Sequence, residues 1–257
     1  MPRFAANLSM MFNEWDFLDR FGAAADAGFD AVEFLFPYDH DPDAIGARLQ
    51  KHGLTQALFN LPPGDFSAGE RGIAAIAGRE EEFRASVARV EPYVAATGVK
   101  RVHVMAGLVP RDPASVAVYR GNILHAAERL ERLGVQVMLE PINGRDIPGY
   151  FLNDFGFAAT FIREMGLDTV RLQFDVYHRQ ILHGDVTRGL EALLPLTGHV
   201  QVASVPSRNE PQGEELDYGF VFETLDRLGY AGFVGCEYRP RAATLDGLGW
   251  FARWRPR

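Results

Sequence analysis

G-V-Q-V-M-L-E, residues 134–140, holds in seven positions the pattern that decides the fold: a glycine that closes a helix, a short apolar run, and a carboxylate at its end. Val137, Met138 and Leu139 are too few to build a helix and too apolar for a loop, so the run reads as a strand. Working outward, the same pattern recurs. Runs rich in Val, Phe, Leu and Ala fall at 4–7, 31–34, 55–60, 101–105, 135–140, 170–175, 199–202 and 233–237. Segments of helical period follow at 14–27, 42–52, 80–97, 113–133, 155–165, 176–193, 218–228 and 242–254. Gly28, Gly53, Gly98, Gly134, Gly166 and Gly229 each stand just before a strand, where glycine tolerates the left-handed conformation that closes a helix. Alternation of this kind implies a parallel sheet with helical crossovers. Eight such units with short returns predict an α/β fold, a single (β/α)₈ TIM barrel forming one catalytic domain over 1–257. The longer insertions, 61–79, 106–112, 141–154 and 204–217, all follow strands, which gathers the irregular chain on one face.

The 257 residues match the usual length of one such barrel, and 47% hydrophobic residues suffice for a large core. A net charge of −8 without a Lys/Arg stripe opposes nucleic acid as a partner. No apolar run approaches a membrane span and the start lacks the apolar segment of a signal peptide, so the expected location is the cytoplasm. The single cysteine, Cys236, fits a reducing compartment and reads as a small buried hydrophobe. A homo-oligomer is compatible with all of this. Phosphate-binding glycine loops, a G-x-S-x-G elbow and H-E-x-x-H are absent, which leaves nucleotide cofactors and serine chemistry unsupported.

The last inward residue of each strand points into the barrel mouth. The candidates are Asn7, Glu33, Asn60, His103, Glu140, Asp175, Gln201 and Glu237, all polar although several follow strongly apolar runs. Glu140, Asp175, Gln201 and Glu237 end four consecutive strands, where like charges repel unless compensated. A bound cation compensates them most simply, and four oxygen donors suit Mg²⁺ or Mn²⁺ better than zinc; a metal-free acid pair is the alternative. His178 lies three residues after Asp175, Arg208 in the loop after the seventh strand, and Arg239 two residues beyond Glu237. Arginine reads carboxylates through paired hydrogen bonds, so these three are substrate-binding candidates for a small anionic acid. Glu33, Asn60 and His103 complete the substrate-binding set by shaping the pocket, with Asn7 beside them.

F-A-A-N-L-S-M-M-F at 4–12, A-G-F-D-A-V-E-F-L-F-P at 27–37, L-E-P-I-N at 139–143, F-D-V-Y-H at 174–178 and G-C-E-Y at 235–238 are together specific. In this order they resemble the hydroxypyruvate isomerase group of the xylose-isomerase-like barrels, over nearly the whole chain. The resemblance implies that Glu140 and Glu237 are the catalytic proton donor and acceptor. It also implies that Glu140, Asp175, Gln201 and Glu237 are positions of a divalent metal, and that His178 contacts substrate. V-P-S-R-N-E-P at 205–211 looks like that group's P-G-R-H-E-P, with Arg208 kept and Ser207 and Asn209 different. Ser204 stands where Asp or Asn is expected, and Arg239 where Lys is common.

The reaction expected is the interconversion of hydroxypyruvate and 2-hydroxy-3-oxopropanoate by enediolate proton transfer, with a metal, or positioned donors in its absence, polarising the carbonyl. The same fold also accommodates a 2-oxo-tetronate isomerase, a ketose 3-epimerase or a non-catalytic sugar-binding barrel. An abasic-site endonuclease of related barrel type would require a His-rich zinc cluster and a basic face, neither of which the sequence shows.

Overall fold

The computed structural model describes residues 1–254. Eight parallel strands close in sequence order into a barrel: β1 Arg3–Asn7, β2 Ala31–Glu33, β3 Thr55–Asn60, β4 Arg101–His103, β5 Gln136–Leu139, β6 Val170–Asp175, β7 Thr197–Val202 and β8 Phe233–Cys236, with β8 pairing back onto β1. Each expected strand is present, several trimmed at an end.

The surrounding helices begin and stop where local chemistry dictates. Helix α2 (Pro42–His52) opens on Asp41, whose side chain accepts from the Asp43 N–H, carries proline at its first position and closes on Gly53 at φ 65°. Helix α5 (Pro113–Glu131) opens on a reciprocal pair between Asp112 and Ser115. Asp154 and Asp217 cap α6 (Phe155–Met165) and α9 (Tyr218–Arg227) in the same way as Asp41.

Four expected helices differ. The segment 80–97 is two helices, α3 (Glu80–Arg89) and α4 (Glu91–Thr97), because Pro92 cannot donate the hydrogen bond that would continue the first turn. The segment 176–193 splits into α7 (Val176–Leu182) and α8 (Val186–Leu193) where Gly184 and Asp185 take positive φ. Helix α1 starts only at Arg20 and runs to Asp26. Glu14, expected at its start, instead accepts from the backbone N–H and hydroxyl of Thr244, tying the first loop to the end of the chain. There a 3₁₀ turn (Thr244–Gly247) and the short α10 (Gly249–Ala252) replace one longer helix.

Ala5 and Ala31 pair across β1 and β2 and, with Ala57, form a small apolar layer apart from the main core. Side chains two residues on face the same way, so Asn7 and Glu33 stack above these alanines inside the barrel. Cys236 is a free, fully buried thiol in the main core. No helix among the described residues is long and apolar enough to cross a membrane.

Candidate active site

All eight polar strand-end residues are at least 95% buried, and they divide into two levels. The lower level is a hydrogen-bond network centred on Glu33. One carboxylate oxygen accepts from Asn7 Nδ2 at 3.0 Å and Gln201 Nε2 at 2.8 Å, while the other is 2.6 Å from His199 Nε2. Gln201 Oε1 in turn accepts from Gln173 Nε2 at 2.6 Å. Both ends of the Gln201 amide are thus engaged. Gly235 lies opposite, and a Cβ there would collide with the Glu33 carboxylate. That close approach explains a glycine inside β8.

The upper level opens into a cavity of about 480 Å³ lined by Asn60, His103, Glu140, His178, Arg208, Glu237 and Arg239, seven of the sequence-derived candidates. Glu33 and Gln201 do not line it. Arg71, Arg145 and Asp146 do, and none of them lies at a strand end, where the alternation would have pointed to it.

Glu140 follows β5 directly, between two imidazoles: His103 Nε2 is 3.6 Å from one carboxylate oxygen and His178 Nε2 is 3.9 Å from the other. Burial, then the charges of Glu237 and Asp175, push its carboxyl well above the usual range. Burial pushes Glu237 up to about 8 against the nearby Arg208, and Asp175 up to about 6. His103 is pushed down to about 3 by burial, and burial likewise holds His178 neutral. Two neutral rings and carboxyls that resist ionisation are what burial beside other acids dictates.

Asp175 has two tasks. Oδ1 accepts from the Tyr177 N–H at 2.8 Å and so caps α7, while Oδ2 is buried without a hydrogen-bond partner among the described residues. Glu140 Oε1 is similarly orphaned, and both oxygens face His178 Nε2. Ligand atoms of Glu140, Asp175 and His178 lie within 4.8 Å of one another, a spacing that one cation spans. Orphaned buried carboxylate oxygens fit a hard divalent ion.

The His178 ring is oriented by Asn143. Asn143 Oδ1 accepts from the Arg145 and Asp146 N–H groups, both at 2.9 Å, which turns its NH₂ towards His178 Nδ1 at 2.7 Å. Nδ1 therefore accepts, and the neutral ring carries its proton on Nε2. Ligation through Nε2 would move that proton to Nδ1, against the amide. His178 is thus set as a hydrogen-bond donor, and the oxygens of Glu140 and Asp175 are the better metal donors. Of the four expected ligands, these two come together; Gln201 is held below, and Glu237 lies outside that group of three.

Arg208 brings the walls together. Its guanidinium donates to Asp146 at 2.9 Å and to Glu237 at 3.2 Å, and stacks on Tyr177 at 4.9 Å. Its backbone sits at φ 56°, an unfavourable region for a non-glycine residue, fixed by bonds from its own N–H to the Ser204 carbonyl and from the Arg239 N–H to its own carbonyl. Burial works against its charge, but Glu237, Asp175 and Asp146 more than offset that and keep it protonated. The Arg239 side chain is exposed at the rim.

Comparison with known proteins agrees with this architecture. The family model of the xylose isomerase-like TIM barrel matches residues 21–254. The chain is 53% identical over 253 residues to a protein of Cupriavidus necator named 2-oxo-tetronate isomerase, covering 97% of each chain. It is 41% identical to one of Escherichia coli K12 named hydroxypyruvate isomerase, covering 99% of this chain and all of the relative. A crystal structure from Brucella melitensis named as an AP endonuclease of family 2 is 48% identical and superposes over the full length of both chains with a TM-score of 0.96. This chain belongs to the xylose isomerase-like TIM barrel family.

Proposed function

We propose that this protein is an isomerase that interconverts the aldose and ketose forms of a short hydroxy-oxo acid, with hydroxypyruvate and 2-hydroxy-3-oxopropanoate as the first candidate pair. The observation that carries the reading is the pair Glu140 and Glu237, two buried carboxyls with raised pKa values on one cavity, with Arg208 in contact with the second. Burial makes both carboxyls easier to protonate than an ordinary glutamate, which suits an acid/base pair. The names of the relatives from C. necator and E. coli point the same way.

In the proposed reaction one glutamate removes a proton from C3 of hydroxypyruvate. The electron pair becomes the C2–C3 double bond of an enediolate as the C2 carbonyl oxygen takes up negative charge. The other glutamate delivers a proton to C2, and the proton of the C3 hydroxyl passes to the C2 oxygen, which leaves a hydroxyl at C2 and the new carbonyl at C3. Arg208 and the Nε2–H of His178 donate to the developing oxygen charge. A divalent metal, Mg²⁺ or Mn²⁺, would be held by Glu140 and Asp175, and would supply further polarisation of the carbonyl. Glu237 is the additional carboxylate available to that ion.

The four-carbon 2-oxo-tetronates are the second reading, favoured by the 53% identical relative's name and by a cavity with more space than a three-carbon acid fills. Proton NMR time courses with hydroxypyruvate, 2-oxo-tetronates and uncharged ketoses, before and after chelation, test the proposal. Turnover of an acid, with the ketoses inert, is expected. Turnover of ketoses alone would replace the reading with epimerisation. Cleavage of nucleic acid has less support, since the net charge is −8 and the one metal-capable cluster among the described residues contains a single histidine.

The raised carboxyls make a pH prediction for the metal-free chain. Glu237 has its pKa raised from 4.5 to about 8, so the folded state holds a proton that the unfolded state releases between those values. Stability should therefore be greatest below about pH 4.5 as far as this group is concerned, and fall as pH rises through about 8. Thermal melts of chelated protein from pH 5 to pH 9 should show that fall, and Mg²⁺ or Mn²⁺ should reverse it at the alkaline end. A melting temperature that rises across that range, with or without the ion, would contradict the assignment.

A further inference from the structure

We infer that Arg71 is the anchor for the substrate's carboxylate, a role resting on the reading of the substrate as a hydroxy-oxo acid. Arg71 lies in the loop after β3 and lines the cavity. In the closed order of eight strands, β3 is diametrically opposite β7, whose following loop carries Arg208.

The guanidinium is immobilised from two sides. Its carbon sits 3.9 Å above the centre of the Phe66 ring, and one nitrogen, Nη1, donates to the carbonyls of Phe66 at 3.1 Å and Glu70 at 2.7 Å. Nε and Nη2 have no hydrogen-bond partner among the described residues, which leaves donors free for an anion. The acid next to it in sequence does not neutralise it, since the Glu70 carboxylate is paired with Arg79 and accepts from the Asp65 N–H.

The loop itself is fixed. Gly72 bridges to Ala106, its N–H donates to the Pro63 carbonyl, and a Cβ at its φ of 96° would collide with the Met105 backbone. A side chain at position 72 would push the loop, and Arg71 with it, away from the end of β4.

The other cationic side chains of the cavity are differently placed. Arg208 already serves Asp146 and Glu237, while Arg145 and Arg239 are exposed and have no side-chain anchor of this kind. Among the described residues Arg71 is therefore the cavity cation that is held without an acidic partner, whereas Arg208, although its Nε is free, is already paired with two carboxylates. A planar guanidinium with its stacking face covered and donors free suits a carboxylate. Its position opposite Arg208 would leave the reacting carbons between the two, beside Glu140 and Glu237.

The test uses D-glycerate, a hydroxy acid without the oxo group, as a calorimetric probe on the full chain, alongside hydroxypyruvate kinetics. Arg71→Gln should weaken D-glycerate binding roughly 10- to 100-fold, the loss expected for hydrogen bonds between charged groups. KM for hydroxypyruvate should rise by a similar factor with kcat little changed, the pattern of a uniform binding contact. Arg71→Lys should fall between, and Phe66→Ala should weaken binding less than Arg71→Gln. Unchanged affinity and KM in Arg71→Gln, or an equal loss of binding for glycerol, would overturn the role. If the unaltered chain turns over no acid yet binds D-glycerate through Arg71, the reaction is misread and the anchor stands. If it turns over hydroxypyruvate with a KM indifferent to Arg71, the reaction stands and the anchor is wrong.

Discussion

Glu140→Gln and Glu237→Gln are each expected to lower kcat for isomerisation by about 10²- to 10⁴-fold, the range that general acid–base catalysis contributes. Glutamine keeps the shape and removes the proton exchange, so the loss reports chemistry and not packing. Stability should not follow activity. Burial raises both carboxyls, which means that the fold already works against their charged forms, and a neutral amide avoids that penalty. Glu140→Gln should therefore melt at or above the temperature of the unaltered chain. Glu237→Gln removes one partner of Arg208 but leaves Asp146 in place. Steady-state kinetics and thermal melts on the two variants check this. Turnover like that of the unaltered chain in either one would remove that glutamate from the mechanism.

Glu33→Ala should show the opposite balance, a large loss of stability. The substitution deprives Asn7, Gln201 and His199 of their shared acceptor at once, in a layer from which water is excluded. Breaking a buried charged network from one side costs about 3–5 kcal/mol, because the remaining donors stay buried without partners. For a chain of this size that corresponds to roughly 10 °C in melting temperature. Glu33→Gln keeps the volume and one acceptor and should lose less. If Glu33→Ala melts normally and loses only substrate affinity, Glu33 belongs to the pocket and not to its support.

That contrast shows how far the amino-acid pattern carries. Strand order and the polar ends are legible because alternation puts every second side chain inside a barrel, and apolar runs such as 137–139 make a terminal Glu140 conspicuous. Alternation does not say how deep an inward residue sits. It groups Glu33 and Gln201 with Glu140 and Glu237, yet the first two lie in the layer beneath, and the signal is His199 and Gln173, two more polar residues inside strands. Asn143, Asp146 and Arg71 lie in loops, where no period identifies direction. Asn143 and Asp146 follow Glu140 by three and six residues, close enough for a loop returning to its own strand to be suspected. Arg71 has no such signal, because its place depends on Gly72 meeting the chain just beyond β4. The helices are readable from caps and glycines, except where Pro92 and Gly184 divide segments whose hydrophobic period runs on and at the first and last helices, which are shorter than expected where Glu14 binds Thr244.

Proton transfer between two glutamates is the core of the proposed mechanism, and hydroxypyruvate carrying deuterium at both C3 positions probes it without altering the protein. Turnover in ordinary water, followed by NMR of the 2-hydroxy-3-oxopropanoate formed at early times, reads the origin of the hydrogen at C2. Solvent hydrogen is expected there, because the proton delivered to C2 comes from the second glutamate and not from C3. Complete retention of deuterium at C2, carried over from C3, would contradict transfer between two glutamates, since the same hydrogen would then have moved from one carbon to the other by a single base or a hydride shift.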